Sequence, residues 1–184
     1  MIRLGAIEQL ARQFAAAQPF RHVIIDDAVE AGSFAALQAA FRAEPMVRLD
    51  DELYSHLRGA DPPLHPALRT FVAALPIGEV SRICGRPLSR ADGAAYAYGE
   101  GDYLLPHSDA GANLRRAVAY AYYLAPPARG GELLLYEPGF REAVKRIEPR
   151  ANRLVLFEVH DRALHEIAEV LAGRRDSIAG WFYP

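Results

Sequence analysis

Residues 115–124 read RRAVAYAYYL, and their alternation decides the class of fold. In an extended chain Ala117, Ala119, Ala121 and Tyr123 fall on one face, and Val118, Tyr120, Tyr122 and Leu124 on the other. From Pro87 onward such strand-like runs recur about every ten residues, separated by Gly and Pro. They cover 88–98, 102–108, 115–124, 131–136, 142–148, 152–158, 163–170 and 174–183. The first half differs. Ile7, Leu10, Ala11 and Phe14 are spaced as on a helix within 5–17, and so are Phe34, Leu37, Ala40 and Phe41 within 30–43. Residues 65–75 continue the pattern, with Pro66 suited to a first helical turn. Between these helices, 22–26 (HVIID) reads as a short strand and 44–62 as an irregular segment broken by Pro45, Gly59, Pro62 and Pro63. Helices followed by strands predict a mainly β, α+β fold: a jelly roll or β-sandwich (88–184) carrying a helical layer (1–87) within a single domain, 1–184.

Composition narrows the function classes. Hydrophobic residues make up 51% and charged residues 24%, and the formal net charge is −2. That balance gives no basic patch for nucleic acid and no block of like charge. Cys84 is the only cysteine, so an intrachain disulfide and a thiolate metal site are excluded. No run approaches the ~18 apolar residues of a membrane span. The N-terminus carries charges through its apolar part, unlike a signal peptide, and a cytoplasmic protein is expected.

The chemistry starts at His107-Ser108-Asp109. A His and a carboxylate two residues apart point the same way from a strand. With one more imidazole they make the two-His-one-carboxylate set that holds Fe(II) by one face and leaves positions open. Fifty-five residues separate Asp109 from the second His, His165, and nine separate His165 from Arg175. His160 competes with His165, but it sits among Asp161 and Arg162 in a polar stretch and reads as a loop residue. Arg175 and Ser177 share a face of the last strand, where a guanidinium fork and a hydroxyl suit a buried carboxylate. Arg174 should face solvent. The alanine face of 117–123 leaves volume inside the barrel, with Tyr123 reaching a co-substrate there; the rival reading is a closely packed helix. Glu132 reads as a surface group or one that supports the ligands from behind, and His22, His56 and His65 as structural.

Together YAYGEGDYLLPHSD, RRAVAYAYYLAPP, GGELLLYEP, NRLVLFEV and HEIAEVLAGRRDSIAGWF, with the opening PFRHVIIDDAV, resemble the iron(II)/2-oxoglutarate-dependent dioxygenases. More narrowly they resemble the prolyl-hydroxylase branch. The resemblance implies a double-stranded β-helix. It implies His107, Asp109 and His165 as iron ligands, and Arg175, assisted by Ser177, as the partner of the 2-oxoglutarate C5 carboxylate. It matches Tyr123 to a tyrosine on the same carboxylate, Tyr98 to one nearer the iron, and Trp181 to an aromatic beside the site. O2 would be the second co-substrate, succinate and CO2 the co-products, and ascorbate a reductant. Because Asp109 is present, hydroxylation is favoured over halogenation. Three substrate classes stay open: a prolyl residue in a peptide, a free amino acid, or a small natural-product scaffold. Outside this chemistry the alternative is a non-catalytic binding barrel. The segment 46–60 occupies the place of a substrate-covering loop.

Overall fold

The structure is a computed structural model and describes residues 2–111, 115–139 and 142–184. Along the chain come α1 (Ile7–Ala16), β1 (His22–Ile25), α2 (Ala31–Ala43), β2 (Met46–Asp51), β3 (Tyr54–Gly59), α3 (Pro66–Ala73) and α4 (Ile77–Cys84). There follow β4 (Arg90–Ala91), β5 (Ala94–Tyr98), β6 (Tyr103–His107), β7 (Val118–Ala125), β8 (Arg129–Gly130) and β9 (Leu133–Leu135). The last are β10 (Lys145–Ile147), β11 (Leu154–Glu158), β12 (His165–Ile167), β13 (Val170–Ala172) and β14 (Arg175–Tyr183).

Strand β7 shows why the sheet has two covered faces. Every residue from Val118 to Leu124 is buried. Val118, Tyr120, Tyr122 and Leu124 pack outward into one apolar cluster with Leu37, Phe41, Leu68 and Phe71 of the helices. Phe71 stacks on Tyr122 with ring centroids 4.9 Å apart. Ala119, Ala121 and Tyr123 enter a second cluster with Leu133, Leu135, Val155 and Phe157, inside the curl of the sheet. The helices use ordinary end signals. His65 caps α3 by accepting from the Ala67 N–H, ahead of Pro66, and Gly85 ends α4 at φ +69°.

The main sheet runs β1-β11-β7-β14-β5-β3-β6-β12-β9-β10, with β2 on β3 and β4 on β14. Its pairs are antiparallel, and it curls so that β7, β14 and β5 face β6, β12 and β9 across a cavity. This is the jelly-roll arrangement expected from the strand spacing.

Three segments depart from the sequence reading, the first being 88–98, which Asp92-Gly93 divides into β4 and β5. Residues 46–59, expected to be irregular, form the hairpin β2–β3, and β3 inserts between β5 and β6 at the turn of the sheet. The first half therefore supplies strands of the main sheet as well as helical support. The hairpin is pinned by Asp102, 2% exposed, which accepts from both terminal nitrogens of Arg48, from Ser55 Oγ and from the Gly99 N–H. Beyond it, the Glu44 carboxylate accepts from the Leu64 and His65 N–H groups at 2.8 and 2.7 Å. The run 163–170 is likewise not one strand. It divides into β12, in the main sheet, and β13, which pairs with β8 in a separate two-stranded sheet.

Gly180 lies where the 92–93 segment crosses β14. A Cβ there would sit 2.3 Å from the Asp92 carbonyl oxygen and 2.6 Å from Gly93 Cα, both backbone atoms that cannot swing aside. Overpacking of this kind costs about 1–3 kcal/mol. Gly180→Ala should lower the melting temperature by roughly 2–10 °C in a thermal unfolding scan; an unchanged value would show that the strands separate freely at this point.

Candidate functional site

His107 ends β6 and His165 begins β12, and the antiparallel register puts the two residues directly opposite each other. Their rings lie 4.3 Å apart, centroid to centroid. Asp109, two residues past His107, brings Oδ1 to 3.7 Å from His107 Nε2 and Oδ2 to 3.6 Å from His165 Nε2. One ligand atom from each of the three lies within 4.8 Å of the others. Each imidazole is oriented by the backbone behind it. His107 Nδ1 donates to the Leu105 carbonyl at 2.8 Å, and His165 Nδ1 to the Ala163 carbonyl at 3.1 Å. With both Nδ1 atoms spent on backbone carbonyls, each ring turns its Nε2 toward Asp109, which is the orientation a metal ligand needs.

The charges agree with that use. Burial pushes the Asp109 carboxyl up, but the two imidazoles and the Trp181 indole outweigh it and hold it at about 2. Burial, partly offset by Asp109, lowers His165 to about 4. At neutral pH the cluster is thus an ionised carboxylate beside a neutral imidazole, a donor set that fits a divalent cation with nitrogen and oxygen preference.

These residues line a cavity of about 260 Å³. Ala119, Ala121 and Ala179 line it, so that part of the alanine face looks inward, whereas Ala117 packs into the outer cluster under the helices. Arg175 enters from β14. It is 2% exposed and directly opposite Tyr98 on β5. Its guanidinium lies 4.9 Å from the ring centroids of both Tyr98 and Tyr123. Arg175 Nε and Nη1, Ser177 Oγ and Tyr123 Oη are all buried and have no hydrogen-bond partner among the described residues. Buried polar groups are almost always paired, so this cluster of donors is built around something that brings its own acceptors. Arg174 points away, 47% exposed, and pairs with Asp176 at 2.6 Å.

Glu132 pairs with Arg146 at the surface, as a non-ligand should. His160 lies in a half-exposed loop, 3.4 Å from Glu158. Three neighbours were not anticipated. Arg116 lies over the Trp181 ring at 3.5 Å and donates to the Asp109 carbonyl at 3.3 Å, steadying the turn that carries the carboxylate. His56 and Arg58, on β3, lie against two tyrosines that line the cavity: His56 is 5.0 Å from the Tyr98 ring and Arg58 5.7 Å from Tyr96. Their signal was the alternation Tyr54, His56, Arg58 within a segment whose strand character depends on pairing with distant β5 and β6.

Residues 93–183 match the family model described as the 2OG-Fe(II) oxygenase superfamily, and the chain belongs to that superfamily. Within it, the likeness is to prolyl hydroxylases. The Xenopus laevis prolyl 3-hydroxylase OGFOD1 is 40% identical over 97 residues, which is 47% of this chain and 18% of that protein. The chain thus spans less than a fifth of the length of this curated relative. The fold matches the crystal structure of a Pseudomonas putida prolyl-4-hydroxylase, with a TM-score of 0.76 at 23% identity over 95% of this chain and 98% of that one. It also matches a Trichoplax adhaerens prolyl hydroxylase, solved in complex with a hypoxia inducible factor peptide fragment, with a TM-score of 0.77 at 19% identity over 96% and 90%. No described helix is long and apolar enough to cross a membrane.

His56 provides a pH test separate from the metal cluster. Burial drives its pKa down from 6.5 to about 4. Between those values the unfolded chain takes up a proton that the folded chain refuses, so stability falls as pH drops from about 6.5 to 4. His165 adds to the same slope. His56→Phe should make denaturant-derived stability less sensitive to pH across this window; an unaltered slope would place His56 in contact with water.

Proposed function

We propose that the chain is an Fe(II)- and 2-oxoglutarate-dependent dioxygenase that hydroxylates an unactivated C–H bond of a prolyl residue or a proline-like amino acid. The observation that carries this reading is the pairing, in one cavity, of a two-His-one-carboxylate cluster with a buried guanidinium that lacks a counter-ion among the described residues. His107, Asp109 and His165 would hold the metal by one face. Arg175 would take the far carboxylate of 2-oxoglutarate, with Ser177 and Tyr123 donating to the same group and Tyr98 packing against the guanidinium. Iron, together with 2-oxoglutarate and O2, supplies the oxidising power that breaks the C–H bond, the acid leaving as succinate and CO2.

The protein's own work is placement and exclusion of water. The two carbonyls behind the imidazoles fix their direction. The rings of Tyr98 and Tyr123 on either side keep the guanidinium in a dry slot, where a charged hydrogen bond is stronger than in water. Leu104, Leu133, Phe157 and Ile167 give the cavity apolar walls. The prolyl assignment is supported by the likeness to OGFOD1 and by the fold shared with prolyl-4-hydroxylases.

Anaerobic addition of Fe(II) and then 2-oxoglutarate should produce a weak visible charge-transfer band, and air should then release succinate. His107→Ala and Asp109→Ala should each abolish iron retention and succinate release; normal retention in either would overturn the metal assignment. Arg175→Met leaves a buried carboxylate without its partner, a loss of about 3–5 kcal/mol. It should raise the KM for 2-oxoglutarate roughly 100-fold or more in steady-state assays. An unchanged KM would mean that another cation binds the acid.

A further inference from the structure

The inner donors account for one dicarboxylic acid, but they are not all the unsatisfied donors. His56 Nδ1, Arg58 Nε, Arg116 Nε and Trp181 Nε1 are also buried without a partner among the described residues. Arg116 and Trp181 lie beside Asp109 and the metal cluster. Arg58 stands apart from them on the hairpin, and cross-strand register shows where it points. Val47 pairs with Arg58, Arg58 with Tyr96, Tyr96 with Ser177, and Ser177 with Tyr123. Directly paired residues share a face of a sheet. The five therefore form one row on the concave face, running from the 2-oxoglutarate end of the cavity, past Tyr96 in its wall, to the free edge at Val47, which is 63% exposed.

Arg58 is the charged member of that row. Its guanidinium rests against the Tyr96 ring and forms no ion pair among the described residues. Asp61, three residues on, is close enough to feel its charge but does not pair with it. Asp92 is already occupied by Tyr183 and by the Trp181 N–H. A guanidinium with a buried nitrogen and no carboxylate partner among the described residues, set against the cavity-lining Tyr96, is a receptor for an anion that arrives with the substrate.

We propose that Arg58 binds a carboxylate of the substrate and so selects for it. The carboxylate comes either from the end of a free amino acid or from an acidic side chain flanking the oxidised residue in a peptide. This rests on the oxygenase reading above, because that reading commits Arg175, Ser177 and Tyr123 to 2-oxoglutarate and leaves Arg58 for the second reactant.

The chain has one tryptophan, Trp181, and it lines the cavity, so its fluorescence reports occupancy without turnover. The experiment uses the full chain loaded with redox-inert Zn(II) and saturated with 2-oxoglutarate. Two probe pairs are titrated: N-acetyl-L-proline against N-acetyl-L-prolinamide, and a blocked Glu-Ala-Pro-Ala peptide against its Gln counterpart. In at least one pair the carboxylate form should bind roughly tenfold tighter. Preference in the first pair alone marks a free amino acid, and in the second a peptidyl substrate. Arg58→Gln should erase the preference, Arg58→Lys should keep part of it, and both should retain 2-oxoglutarate binding. Equal affinity within both pairs, no binding of any probe, or a preference that survives Arg58→Gln overturns the proposal. Failure of the wild-type chain to bind 2-oxoglutarate in the first titration overturns the underlying oxygenase reading instead.

Discussion

A guanidinium sealed inside the protein, with no carboxylate to meet it among the described residues, is the constraint on which the rest of the structure turns. Removing an unpaired charge from water costs several kcal/mol. The protein offsets part of this cost with two aromatic faces, Tyr98 and Tyr123, each 4.9 Å from Arg175. The remainder is a standing demand for an anion. That demand explains the alanines at 119, 121 and 179, which keep the floor of the cavity low enough to admit one. It also explains why Ser177 and Tyr123 keep buried hydroxyls free.

The cluster of His107, Asp109 and His165 is assembled by a different device. Its two histidines are a directly opposed cross-strand pair, so their separation is set by the sheet. Asp109 lies beyond the strand end and is steadied by Arg116. The hairpin β2–β3 is held to this frame by Asp102, a buried carboxylate that joins Arg48 and Ser55 of the hairpin to the turn between β5 and β6. One ion pair, between the half-exposed Arg48 and the buried Asp102, therefore couples the hairpin to the two strands that carry Tyr98 and His107.

Much of this was legible in the sequence because strand chemistry is local. The Ala/Tyr alternation at 117–123 separates the two faces by side-chain size, even though both are buried and a polar/apolar pattern would have been silent. The grouping of His107, Asp109 and His165 was legible because a two-residue spacing fixes a common face and the downstream His and Arg follow in a simple order. What escaped depended on distant partners. Strand β2 is an exposed edge with a polar sequence, and only its pairing with β3 makes it a strand. The division of 163–170 at Ala168-Glu169 occurs where the chain passes between sheets, which no local propensity encodes. His56, Arg58 and Arg116 went unassigned because their neighbours come from β5 and β14, far along the chain.

The most direct test of the central claim is an anomalous-difference map at the iron absorption edge, from crystals grown without O2 in Fe(II) and 2-oxoglutarate. The account predicts a single strong peak at bonding distance from His107 Nε2, His165 Nε2 and an Asp109 oxygen, with the far carboxylate of the acid forked onto Arg175. A peak elsewhere, or an acid whose far carboxylate lies away from Arg175, would contradict it.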